Sequence, residues 1–136
     1  MVQIQFEYQG ELRCQATHGP SSTEVVTDAP VDNHGRGESF SPTDLVATAL
    51  GSCMLTIMGI AADKHGWNLV GARATVEKGM QLAPVRRIGS LGVELWLPAG
   101  FDEKARRVLE AAAKSCPVWH SLNPDIELPV TFHWAD

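Results

Sequence analysis

Cysteine is scarce. Three residues, Cys14, Cys53 and Cys116, in a chain of 136 are too few and too odd in number for the disulfide framework of a small secreted domain. Basic charge is also thin: 11 Lys and Arg stand against 16 Asp and Glu, a net charge of -5, and no basic run occurs. Nucleic acid and an anionic membrane are therefore not expected as partners. The amino terminus, Met1-Val2-Gln3-Ile4-Gln5-Phe6-Glu7, lacks the basic start and apolar block of a signal peptide, and with the low cysteine content this predicts a cytoplasmic protein. Paired metal ligands are missing as well. Cys116 and His120 lie four residues apart, but Pro117 interrupts any helix that would align them and no second pair follows, so neither metal nor other cofactor is expected. Repeats and low-complexity segments are absent, and the length predicts one domain, 1–136, built on one core.

What is present is a long uncharged run, Leu45 to Ala62, with Cys53 in its middle. Its length brings a membrane span into consideration. Thr48, Gly51, Ser52, Thr56 and Gly59 dilute it and no aromatic or basic anchors flank it, so a buried helix is the better reading. Ser41-Pro42-Thr43-Asp44 supplies the start: Ser as N-cap, Pro at the first helical position, Asp facing the free backbone donors. Gly66 supplies the stop, after about His65. A helix apolar on nearly every side must be surrounded by protein, and its small residues suit close approach of another helix.

Around it the pattern reads as strands. Val2, Ile4, Phe6 and Tyr8 alternate with polar residues, and after Gln9-Gly10 the alternation resumes at Leu12, Cys14 and Ala16, predicting a hairpin. A third strand is expected over 23–27, then a polar, Gly-bearing loop over 29–40 of the kind that often lines sites. Strands over 70–77 and 88–97, a connection over 79–87, and a helix over 102–115 with an apolar stripe of Ala105, Val108, Leu109 and Ala112 follow. Cys116-Pro117 breaks that helix, 118–122 suits a short turn, and Ile126 to Trp134 alternate as a closing strand. Cys14 shares its strand face with Leu12 and Ala16 and reads as core; His18, His34, His65 and His133 form no triad with the cysteines.

This order of elements, together with Ser41-Pro42-Thr43-Asp44-Leu45-Val46-Ala47-Thr48-Ala49-Leu50-Gly51-Ser52-Cys53 and Cys116-Pro117-Val118-Trp119-His120-Ser121-Leu122, resembles the osmotically induced and organic hydroperoxide resistance (OsmC/Ohr) family over nearly the whole chain. The resemblance implies an α+β fold of antiparallel sheets wrapped around long central helices, as an intertwined homodimer. It also implies a thiol-dependent peroxidase in which Cys53 attacks an organic hydroperoxide, Cys116 resolves the sulfenic acid to a disulfide, and an external thiol or dithiol reduces it. The alternative on the same scaffold is a non-catalytic small-molecule-binding or redox-sensing protein.

The sequence departs from the family at two positions. The best-characterised peroxidases carry a Glu two residues after the position of Ser41 and an Arg in the loop matching His18-Gly19-Pro20-Ser21; here Thr43 and, on approximate alignment, Pro20 stand there. A thiol in mid-helix is hard to ionise without a nearby cation. Arg36, just before the helix, is the nearest candidate, with Glu38 or Asp44 to orient it; Arg86 and Arg87 reaching across a dimer are alternatives. Trp119 is a candidate wall for an apolar substrate.

Overall fold

The computed structural model describes residues 1–136, which divide into two compact units, Met1–Val46 and Ala47–Asp136. In the first, β1 (Ile4–Gly10), β2 (Arg13–His18) and β3 (Glu24–Asp28) form an antiparallel sheet in that order. The hairpin turn falls on Glu11 and Leu12, both left-handed at φ 54° and 65°, as a two-residue turn matching strand twist requires. Leu12 is therefore a turn residue, and the turn lies two residues beyond the expected Gln9-Gly10. Tyr8 lies opposite Cys14, Phe6 opposite Ala16, and Ala16 opposite Val25, so one face of this sheet is largely apolar. It is also open: Phe6 is 71% and Tyr8 63% exposed.

The segment 29–40 is a closed loop rather than a loose one. The Asp28 N–H donates to the Phe40 carbonyl at 3.0 Å, the Glu38 N–H to Asp28 Oδ2 at 3.0 Å, and Ser39 Oγ to the Val26 carbonyl at 2.7 Å. Inside it a 3-10 turn, Val31–Asn33, is followed by left-handed His34. Gly35 packs so tightly that a Cβ there would sit 1.7 Å from the Ala29 carbonyl oxygen; a side chain is excluded. Compact loops with tied ends of this kind present a fixed surface.

α1 (Pro42–Lys64) follows. Ser41 Oγ accepts the Asp44 N–H at 3.1 Å and Asp44 Oδ2 accepts the Ser41 N–H at 2.9 Å, a reciprocal capping box. Gly66, at φ 70°, closes the other end. Ala47, Leu50, Gly51, Met54, Met58 and Ala62 are buried, while Thr48, Ser52, Thr56 and Ile60 face outward. The helix has a bilayer-like mean hydropathy of 2.0 over an 18-residue window, yet only 33% of that window is buried. Within the single chain this cover is supplied on one face. There Gly51 meets a strand, since a Cβ at that position would lie 3.0 Å from Val76 Cγ2, while a Cβ at Gly59 would meet nothing of the same chain within 4 Å.

The second unit carries β4 (Arg73–Gln81), β5 (Arg87–Leu97) and β6 (Val130–Trp134) in that order. β4 and β5 are antiparallel, whereas β6 runs parallel to β5, making this sheet mixed. β4 extends through Gln81, so the connection is tighter than expected. Leu91, Val93, Leu95 and Leu97 of β5 alternate into the core; the opposite face carries a cross-strand row in which Arg73 and His133 stack on either side of Trp96 at 5.3 and 5.2 Å. α2 (Glu103–Lys114) is capped by Asp102, whose Oδ1 accepts the Ala105 N–H at 2.8 Å. Its buried stripe is Ala105, Leu109 and Ala113. α3 (Pro117–Ser121) is a single turn.

Candidate functional site

Cys53 and Cys116 both belong to the second unit, and the fold brings their side chains into hydrogen-bonding contact. Both are free thiols. Their settings differ. Cys53 sits in the middle of α1, half-buried, next to fully buried Met54. Cys116 is completely buried, at 0% exposure, and is the N-cap of α3: its backbone is extended at φ -65°, ψ 143° because Pro117 occupies the next position. The expected break of α2 at Cys116-Pro117 thus becomes a cap, and the capping atom is sulfur: Cys116 Sγ accepts the Trp119 N–H at 3.3 Å.

The electrostatics follow from that placement. Burial pushes the Cys116 thiol above its ordinary value, and contact with Cys53 pushes it further, because a negative charge on one sulfur opposes a second beside it. The backbone N–H groups of Trp119 and Val118 act in the opposite direction without reversing the balance. Cys116 therefore retains its proton. Of the two residues, Cys53 is the less buried. Such an asymmetric pair can pass from two thiols to a disulfide, since a thiolate on one can be oxidised and trapped by the other.

The remaining predicted residues have partners of their own in the first unit. Arg36 pairs with Glu11 at 3.4 Å, both well exposed. Glu38 forms an ion pair with Arg13. Asp44 caps α1 through its carboxylate, and Thr43 Oγ1 lies 3.2 Å from Ser41 Oγ. Pro20 is exposed between β2 and β3. In the second unit Arg87 is held by Gln81 Oε1 and the Ile88 carbonyl, each at 3.2 Å, and Trp119 is half-buried. Cys14 is half-buried on β2, opposite Tyr8 and Thr27.

Two contributions escaped the sequence reading. Arg13 lies against both Glu38 and Asp28, with Nη2 3.7 Å from Asp28 Oδ2, and the Asp28 side chain is entirely buried. An aspartate closing the strand Glu24–Asp28, directly after Val25, Val26 and Thr27, was the available signal. The Trp119 amide, donating to Cys116, left no signal in residue identity, because any non-proline residue offers the same group.

A family profile described as OsmC-like protein matches residues 35–130. Among solved structures, a candidate osmotic stress induced and detoxification response protein from Psychrobacter arcticus 273-4 is 44% identical, with a TM-score of 0.92 over 98% of this chain and 96% of that one. An OsmC-like protein from Mycoplasma pneumoniae has a TM-score of 0.83 at 12% identity, covering 100% and 98% of the two chains. The organic hydroperoxide resistance protein OhrB of Bacillus subtilis has a TM-score of 0.72 at 14% identity over 97% of each. The last two are likenesses of fold. No curated protein matches the chain.

Proposed function

The chain belongs to the OsmC-like protein family, and from that premise we propose that it is a thiol-dependent peroxidase that reduces organic hydroperoxides through Cys53 and Cys116. One observation carries the reading: two free thiols in contact, one half-buried and one fully buried. The organic hydroperoxide resistance named for the Bacillus subtilis relative supports the substrate class.

In the first step the Cys53 thiolate attacks the terminal oxygen of the hydroperoxide. An S–O bond forms, the O–O bond breaks, and the alkoxide leaves as an alcohol after taking a proton. Cys53 is then a sulfenic acid. Cys116, giving up its proton, attacks the Cys53 sulfur; the S–S bond forms and hydroxide departs as water. Two thiols and one hydroperoxide thus yield a disulfide, an alcohol and water. A dithiol reductant, in a cytoplasmic setting, restores the pair by exchange. Trp119, on the turn after Cys116, is the residue we assign to the wall of the organic group.

The working form is a homodimer. Within the first unit the exposed Ile4, Phe6, Tyr8 and Val25 leave a larger apolar surface than a monomer ordinarily leaves in water, and a second copy covers it without a further partner.

The test is intact-mass analysis of the reduced protein after one equivalent of cumene hydroperoxide, with peroxide consumption followed in parallel. The expected result is rapid loss of two hydrogens, mapped to Cys53 and Cys116, with sulfenic acid trapped in Cys116→Ser. Consumption by Cys53→Ser at the parent rate would overturn the assignment. Thiols that stay reduced would favour the small-molecule-binding or redox-sensing reading, which the occupation of the two family positions by Thr43 and Pro20 motivates.

A further inference from the structure

Cys116 offers more than a second sulfur. Its Sγ accepts the Trp119 N–H at 3.3 Å, which leaves its own S–H hydrogen to be placed. Full burial keeps that hydrogen away from bulk water, and the thiol it touches is Cys53. Resting on the peroxidase reading, we propose that Cys116 is the hydrogen-bond donor that stabilises the Cys53 thiolate, forming a relay from the Trp119 N–H through the Cys116 S–H to the Cys53 sulfur. Each link polarises the next, and low local dielectric strengthens both. The relay performs the task for which the sequence suggests a cation, using groups within six residues of α3 and the middle of α1.

The arrangement also orders the reaction. While Cys53 carries charge, that charge and burial hold the proton on Cys116, so the resolving sulfur stays a donor. Oxidation converts Cys53 to a neutral sulfenic acid and removes the repulsion between the two sulfurs. Cys116 then releases its proton more readily, at the point where a nucleophile is required.

Alkylation isolates this from peroxide turnover. Reduced protein carrying Cys14→Ser is treated with iodoacetamide at pH 7, and modification of each cysteine is followed by mass, for the parent and for Cys116→Ser, Cys116→Ala and Cys116→Val. In the parent, Cys53 is expected to react before Cys116. Removing the donor in the Ala or Val variant is expected to slow Cys53 by about tenfold or more, the worth of one hydrogen bond to a charged sulfur. Cys116→Ser, whose hydroxyl still donates, should keep the rate within about twofold. Circular dichroism selects the folded non-donor variant, and either one suffices. Cys53 reacting at the parent rate in that variant, or Cys116→Ser as slow as it, overturns the relay. A donor-dependent alkylation rate with no peroxide-driven disulfide in the parent would sink the peroxidase and leave the relay standing; the reverse pair of results sinks the relay alone.

Discussion

Arg13→Ala is expected to be among the most damaging single substitutions in residues 1–46. Its guanidinium is the counter-ion of Asp28, whose side chain is 0% exposed, and of Glu38, which is 54% exposed. Stranding a fully buried charge costs about 3–5 kcal/mol. Three features reduce that figure here: the Arg13–Asp28 separation is 3.7 Å, Arg13 is 30% exposed, and Asp28 Oδ2 keeps the Glu38 N–H at 3.0 Å. Arg13 Nε and Asp28 Oδ1 also lack partners, so the native arrangement already carries some desolvation cost. The net loss should be about 2–3 kcal/mol, which at this chain length lowers the melting temperature by roughly 6–12 °C. Urea melts of Arg13→Ala, Asp28→Asn and the double variant give the coupling, expected at about 1–2 kcal/mol. Arg13→Ala within about 0.5 kcal/mol of the parent, the ordinary range of a surface change, would refute the role of Arg13 as the stabilising counter-ion of buried Asp28.

Two further outcomes follow from the site. The raised Cys116 thiol makes folding proton-linked: above the ordinary value of 9.0 the unfolded chain releases this proton while the folded one holds it. Stability of the reduced protein should therefore fall as pH rises beyond about 9, and urea melts across that range should show a weaker fall in Cys116→Ser. Gly51→Leu should cost roughly 1–3 kcal/mol, because the first added carbon already meets Val76 Cγ2 at 3.0 Å; Gly51→Ala, whose helix propensity gain is about 1 kcal/mol, should melt close to the parent, and a stable Leu variant would contradict the tight helix-to-strand contact.

Local chemistry made much of this molecule legible in the chain itself. Ser41 and Asp44 start α1 and Gly66 ends it because unpaired backbone groups at helix ends demand a cap and a left-handed stop. The alternation of Leu91, Val93, Leu95 and Leu97 marks a strand with one buried face because successive side chains point to opposite sides. Cys53 and Cys116 stood out for their positions in an uncharged helix and before a proline. Spacing could not say more, since they are 63 positions apart and only packing decides whether such residues meet.

Tertiary structure decided the rest. It turned Cys116 from the break after a helix into a buried cap, giving its sulfur an amide donor and a thiol neighbour. It paired Arg36 with Glu11 and gave Glu38 to Arg13, where proximity in sequence had suggested service to Cys53. It ran β6 parallel to β5, a choice that alternation cannot express because period two is the same in either direction. Residue identity sets what a side chain is able to do; its charge state and partner depend on burial and contact across the fold, and those are properties of the packed chain alone.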